Sequence, residues 1–288
     1  MSAGGRLSIS PDRDEVFALL SSPSERWWIA GVRAGPYIGR RVSQAPSAAF
    51  PAVAVGRRSG HLYVLDRIGA KVIAVDPGSG ETISARPVDG WRNDSVYSWG
   101  LRDDERRLFI SYHGQGTGID WFDVEPARWK RAGYVQTHGG FVLLGERLFA
   151  ATGESQIVEF EASGRELRRL DTGLRGNHLM EFVIDRDRRL VHAVGSCGYA
   201  GGFSTIALSQ KASARIRTPV GDYTVCGERV SVSPDGSWLA VASIQDPPRG
   251  LTPSASRAGA LLIVSTRTGE VLQRITTAAD VVDVLAVR

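Results

Sequence analysis

The sequence predicts an all-β chain made of six repeats of one four-stranded antiparallel unit. Three observations carry this. The phrase VSVSPDGSWLAVAS at residues 230–243 has a counterpart, LSISPDRDEVFALLSS, at residues 7–22. Weaker copies of the same phrase stand between them at regular spacing. No segment carries a long apolar period of 3.6 residues, so almost no helix is expected.

Each phrase has the grammar of a β-hairpin. Val230 and Val232, then Leu239 and Val241, alternate with small or polar residues, as strands do. Pro-Asp-Gly between them is a turn, in which Pro sets φ and Gly accepts positive φ. The weaker spellings are VAVGRRSGHLYVL (53–65), GLRDDERRLFISY (100–112), VLLGERLFAAT (142–152) and VIDRDRRLVHAV (183–194). The first apolar residue of each second strand is Val16, Leu62, Leu108, Leu148, Leu190 or Leu239, giving spacings of 46, 46, 40, 42 and 49 residues. A second hairpin follows each first one, clearest in KVIAVDPGSGETI (71–83), IVEFEASGRELRRL (157–170) and LLIVSTRTGEVLQRI (261–275). Four strands, A to D, therefore run up and down in each repeat. Repeats of roughly 40–50 residues with this content are the blades of a β-propeller.

The units VSVSPDGSWLAVAS and HLYVLDRIGAKVIAVDPGSGETI resemble the repeat of YVTN-type and lactonase-like β-propellers, over nearly the whole chain. The resemblance implies the fold. It does not imply one activity, because propellers serve as enzymes, electron carriers and binding scaffolds. The WD40 spelling, with its Gly-His and Trp-Asp dipeptides, is missing. The Glu/Asn/Asn/Asp metal set of gluconolactonase-like propellers has no sequence match.

Six blades are expected in a single domain over residues 1–288. The tail VVDVLAVR (281–288) reads as one more A strand that would pair into the first blade and close the ring. Residues 7–10 compete for that place, so either one of the two sits elsewhere or a seventh blade is incomplete.

Composition narrows the function. The chain has 288 residues, 42% hydrophobic and 23% charged, with a formal charge of +4. Lys occurs only at Lys71, Lys130 and Lys211, leaving 32 Arg, spread along the chain and interleaved with Asp and Glu. No compact basic run appears, so nucleic acid is not an expected partner. No run of about 18 apolar residues marks a membrane span. MSAGGRLSIS does not read as a secretory signal, which leaves a cytoplasmic protein or one whose leader has been removed. Cys197 and Cys226 fall in loops of neighbouring repeats. They read as two free thiols, a disulfide or, paired with a histidine, a catalytic thiol.

The meander assigns faces. A–B and C–D turns share one face and are short and regular. B–C and D–A loops share the other, at residues 89–95, 113–118, 172–179, 196–202, 219–228 and 244–259. Long loops on a rigid frame usually carry function. Of five histidines, His113, His138 and His178 fall on that side. His138 and His178 stand close before A strands and suit acid–base work on a bound ligand, with His113 behind them and Asp94 placed to charge an imidazole. Trp91, Tyr199 and Tyr223 offer apolar wall, and Asn93, Asn177 and Glu228 offer polar contacts. Asn93, Asn177 and Asp280 also suit a plainer role, satisfying backbone amides at strand starts. A divalent metal held by the histidines with Asp94 or Glu228 would fit as well. No nucleotide cofactor is expected: the glycine-rich stretch 114–118 stands between strands, not before a helix.

Two functions compete. One is an enzyme acting on a small organic molecule in a loop-face pocket, by hydrolysis, elimination or cyclisation. The other is a non-catalytic scaffold that binds a protein or peptide on its loop face, for which the proline-bearing insertion 244–259 is suited.

Overall fold

A computed structural model describes residues 2–3, 8–9, 15–21, 27–33, 39–45, 49–92, 95–113, 117–137, 140–152, 155–174, 180–195, 202–208, 229–244 and 259–276. These residues contain strands and turns and no helix. They form two compact units, Met1–Gln136 and Thr137–Arg288.

The first unit holds three meanders. β1 (Ser2–Ala3) and β2 (Ser8–Ile9) lie along one edge of β3 (Glu15–Ser21), followed by β4 (Trp27–Arg33) and β5 (Gly39–Ala45). Ile9 pairs with Val16 and Ala3 with Leu20, so the N-terminal residues fill the A position read for them in the sequence. The tail 281–288 lies outside the described residues. The second meander is β6 (Ala49–Val55), β7 (Leu62–Asp66), β8 (Lys71–Val75) and β9 (Thr82–Asp89). The third is β10 (Ser95–Leu101), β11 (Arg107–His113), β12 (Gly118–Val124) and β13 (Trp129–Val135). A short parallel pairing of Trp129–Lys130 with Val88–Asp89 joins their last strands.

The second unit repeats the plan. β14 (Phe141–Leu144), β15 (Arg147–Ala151), β16 (Gln156–Phe160) and β17 (Glu166–Asp171) form one meander. β18 (Met180–Asp185), β19 (Leu190–Gly195) and β20 (Phe203–Ala207) form the next. β21 (Arg229–Val232), β22 (Trp238–Ile244), β23 (Gly259–Ser265) and β24 (Val271–Thr276) form the last described one. First strands are neighbours within each unit: β6 touches β2 and β10, and β18 touches β14 and β21.

Burial explains the sequence pattern. Middle strands are sandwiched between blades and buried on both faces, as in β12, β15 and β19. Fourth strands are wet, as in β9, β13 and β17. Between the meanders lie apolar layers, such as Phe17, Ile29, Leu62 and Val64 in the first unit and Val194, Phe203, Leu239 and Val241 in the second. Trp121 is buried too and leaves no room for a side chain at Gly133. Among the described residues, all five pairings of a third with a fourth strand carry a register shift, at Ile29/Ala30, Ala74/Val75, Trp121/Phe122, Glu159/Phe160 and Ile263/Val264. Such bulges increase local twist.

The A–B turns stitch neighbouring blades together. Glu105, at φ 60, reaches from the third meander into the second. One carboxylate oxygen accepts the amides of Arg58 and Ser59, each at 2.7 Å, and the other accepts the Tyr63 hydroxyl at 2.8 Å. Burial alone would raise its pKa, but these hydrogen bonds outweigh burial and hold it below the usual range. In the second unit Arg186 donates to the Leu143 carbonyl at 3.0 Å, and Arg188 donates to the Asp235 carbonyl. Glu105→Ala leaves two amides and a phenol without their acceptor. The expected loss is about 1–3 kcal/mol, read from urea unfolding; a loss below about 0.5 kcal/mol would show that the stitch does not hold the blades.

Three C–D turns place a glycine at positive φ. Gly80, Gly164 and Gly269 have φ of 75, 87 and 75, which is why each of these hairpins spells Gly there.

Candidate functional site

The loops predicted to carry function leave from the opposite ends of the strands. At that end of the third meander, one charged cluster anchors the connection from β9 to β10. Asp120, on β12, is fully buried. Its Oδ2 accepts Arg92 Nε at 2.9 Å, and its Oδ1 accepts Arg131 Nη2 at 2.6 Å and Nε at 3.1 Å. The Arg92 guanidinium lies over the Tyr112 ring at 4.3 Å and the Tyr134 ring at 5.1 Å. Trp91 meets Tyr112 edge-on at 6.4 Å. Burial first, and the Asp120 charge second, push the Tyr112 hydroxyl well above its ordinary range, so it stays protonated. Tyr134 donates to the Thr117 carbonyl at 3.0 Å and covers Gly118, where any side chain would strike its ring. The segment that leads to Asn93 and Asp94 is thus pinned at Arg92, and the exit of β12 from the 113–118 loop is pinned at Thr117.

The second unit shows a different anchor. Thr172 Oγ1 donates to the Ser155 carbonyl at 2.6 Å, and the Ser155 hydroxyl donates to the Leu174 carbonyl. This ties the start of the 172–179 loop to the turn before β16. Leu174 packs within 2.9 Å of the place a side chain would take at Gly202, where the 196–202 loop returns. The base of that loop is closed by Gly195 N–H donating to the Gly202 carbonyl at 2.9 Å. At the start of β14, Gly140 accepts the Ala151 amide at 3.1 Å and faces the Glu181 carboxylate from β18. Glu181 is 9% exposed.

Of the residues singled out in the sequence, Trp91 is described and is half-buried against Tyr112. His113 is the last residue of β11 and pairs with Ser95 along the backbone. His138, His178, Asp94, Asn93, Asn177, Tyr199, Tyr223, Glu228, Asp280, Cys197 and Cys226 lie outside the described residues. Among those described, no group of three or more His, Cys, Asp or Glu comes together. Two B–C connections depart from the long-loop pattern: only four residues join β15 to β16, and residues 67–70 form a tight turn capped by Asp66 Oδ1, which accepts the Gly69 amide at 3.0 Å. Sequence reading passed over Arg92, Asp120 and Glu181. A charged residue inside the apolar runs GIDWFDV and MEFVID was the available signal. On the turn side, Ser233, Pro234, Asp235 and Trp238 line an open depression of about 430 Å³.

No protein-family model matches the chain, and no curated protein matches it. Solved structures do. Hydrazine synthase of Kuenenia stuttgartiensis aligns with TM-score 0.67 and 14% identity, over 98% of this chain and 89% of that one. A candidate 6-phosphogluconolactonase from Bacteroides uniformis aligns with TM-score 0.64 and 14% identity, over 96% and 86%. The Cps50 (Swd1) β-propeller domain of Myceliophteria thermophila aligns with TM-score 0.67 and 10% identity, over 96% and 86%. The fold is that of the β-propellers, lactonase-like ones among them. At these identities the likeness concerns fold and leaves activity open.

Proposed function

We propose that the chain is a β-propeller enzyme of six blades that acts on a small organic molecule at its loop face. His138 and His178 are its acid–base pair, with His113 behind them as a third catalytic group, and Asn177, Tyr199, Tyr223 and Glu228 contribute to binding. Asp94, with Asn93 and Trp91 beside it, is assigned on the same face to charging an imidazole. In this reading the tail 281–288 closes the ring; with β1 and β2 already beside β3, it would pair at another strand edge. The observation that carries the reading is the division of labour between the two ends of the strands. Turns at one end are occupied in stitching blades together, through Glu105, Arg186 and Arg188. At the other end the connections after Arg92 and after Thr172 start from anchored bases, and the sequence places Asn93 and Asp94 on the first and His178 on the second. Rigidly based loops are where catalytic groups are usually placed.

Ring-opening hydrolysis of a sugar lactone is the first reaction to test, because two of the similar structures are candidate 6-phosphogluconolactonases. Glucono-δ-lactone and its 6-phosphate, in an indicator assay corrected for spontaneous opening, are the probes. Native mass spectrometry of the purified protein tests for a copurified metal or ligand. His138→Ala or His178→Ala is expected to lower turnover, or binding of the retained ligand, by about 100-fold while Tm stays within a few degrees. Full activity in both variants would overturn the assignment. The insertion between β22 (Trp238–Ile244) and β23 (Gly259–Ser265), with its three prolines, favours the scaffold reading instead. That reading would lead if neither probe turns over and a protein partner is lost on shortening the insertion.

A further inference from the structure

We propose that Arg131, with Arg92 beside it, forms an oxyanion site on the outer flank of the third meander that binds a phosphate monoester. The site does not use the histidines, so it stands or falls apart from the enzyme reading above. Three observations carry it.

The first is how one carboxylate is shared. Asp120 accepts Arg92 through Oδ2 and Arg131 through Oδ1. It is fully buried, so it holds both guanidinium groups in place without itself facing a ligand. One negative charge serves two positive ones. The other described carboxylates on β9, β12, β13 and the turn that joins the last two have cations of their own. Asp89 pairs with Arg128, Glu125 with Arg128 and Lys130, and Asp123 with Arg107.

The second is what Arg131 has left. Its Nε and Nη2 are committed to Asp120, and its Nη1 makes no hydrogen bond among the described residues. The Arg131 side chain is 41% exposed, against 0% for Asp120. Charged donors therefore face solvent from a guanidinium whose other side is held. Glu159 gives the contrast. Two arginines approach it as well, but Arg168 commits Nη1 to the Leu208 carbonyl, and Arg147 stands 3.9 Å away.

The third is order before binding. The Arg92 and Arg131 guanidinium carbons lie 5.1 and 6.0 Å from the centre of the same ring, that of Tyr134. Tyr134 is fixed by its hydrogen bond to the Thr117 carbonyl. The stem of Arg131 crosses Gly90, where a side chain would meet its Cβ at 3.2 Å and its Cδ at 3.4 Å. Long side chains held in this way lose little freedom when a ligand arrives, which favours binding.

A guanidinium fork matches the paired oxygens of a carboxylate or a phosphate. The monoester is the better match, because it brings up to two negative charges and three acceptor oxygens to two cations. A soluble sugar phosphate and a lipid headgroup both carry that group.

The test uses the full-length protein at low ionic strength, where screening is weak. Inorganic phosphate and glucose 6-phosphate are titrated in, and the arginine Nε–H resonances and the heat of binding are followed. Arg131→Gln removes the exposed charge and leaves Asp120 paired with Arg92. It is expected to weaken binding of both probes by about 10-fold. Arg165→Gln, which breaks an exposed pair with Glu161, should bind like the parent. Should Arg131→Gln fail to fold, Arg131→Lys decides: it keeps the charge, loses the fork, and should bind more weakly than the parent. Flotation with phosphatidylcholine vesicles, with and without phosphatidylinositol phosphate, separates the two sources. Soluble probes held through Arg131 support a free phosphate ester. Vesicles held through Arg131 only when they carry the phosphate support the same group on a lipid. Equal binding by the parent and the Arg131 variant, no binding of any probe, or displacement of phosphate by equimolar chloride overturns the proposal.

Discussion

Asp120→Ala is expected to destabilise the protein by about 3–5 kcal/mol, which removing one member of a buried ion network typically costs. The carboxylate is fully buried and both its oxygens are engaged. Without it, Arg92 keeps its charge while lodged between the Tyr112 and Tyr134 rings. Arg131 suffers less, because its side chain is 41% exposed and can turn to water. An exposed pair gives the contrast: Glu166 with Arg169 should contribute about 0–1 kcal/mol. Urea unfolding of Asp120→Ala beside Glu166→Ala makes the comparison within one protein. Similar small losses in both would show that Asp120 is not a structural charge. Function should follow stability here. The backbone that leads to Asn93 and Asp94 starts at Arg92, so at temperatures where the variant stays folded, ligand binding that depends on that loop should weaken as well.

The same cluster shows what a sequence hides. Arg131 and Tyr134 are three apart on β13, and in a regular strand they would face opposite ways. The register shift at Trp121/Phe122 places both beside Asp120, since Asp120 pairs with Tyr134 and Phe122 with Arg131. Nothing in GIDWFDV or WKRAGYV announces that shift, though five pairings of this kind share it. Hairpins and turns were legible because their signals are local: alternation, Pro-Asp-Gly, and a glycine at positive φ. Each of the six anchors lies in the second strand of its meander, and Leu62, Leu108 and Leu239 are fully buried. Loops read from the sequence at 172–179 and 196–202 fall between strands, and those at 89–95 and 113–118 overlap the strand ends by one residue on each side. The packing of Glu181 was not legible, because it depends on Gly140, which lies 41 residues away and is brought beside it only when β14 and β18 become neighbours. Cross-blade stitches such as Glu105 with Ser59 are hidden for the same reason.

Acidification should weaken the fold through His192. This residue sits on β19 with no exposure. Its Nδ1 shares a hydrogen bond of 3.0 Å with Thr205 Oγ1, its ring stacks on Phe203 at 6.0 Å and 10°, and Nε2 has no hydrogen-bond partner among the described residues. Burial pushes its pKa down to about 4, with the smaller influences of Asp185 upward and Arg188 downward. The unfolded chain has the ordinary value of about 6.5. Above pH 6.5 neither state binds the proton and the fold keeps its full stability. Between pH 6.5 and 4 the unfolded chain binds it and the folded chain does not, so stability falls by about 1.4 kcal/mol per pH unit. Below pH 4 the loss levels off near 3 kcal/mol, since both states are then protonated. Protonation of the folded form would make both ring nitrogens donors while Nε2 has no acceptor among the described residues, which adds to the cost of burying the charge. His192→Asn keeps a polar atom near the Nδ1 position and cannot titrate. It should be less stable than the parent at pH 7, because ring packing on Phe203 is lost, yet its stability should change far less between pH 7 and 4.5. Urea midpoints of parent and variant at both pH values isolate the residue, since the other four histidines are common to the two proteins. If parent and variant lose the same stability over that interval, the acid sensitivity lies elsewhere.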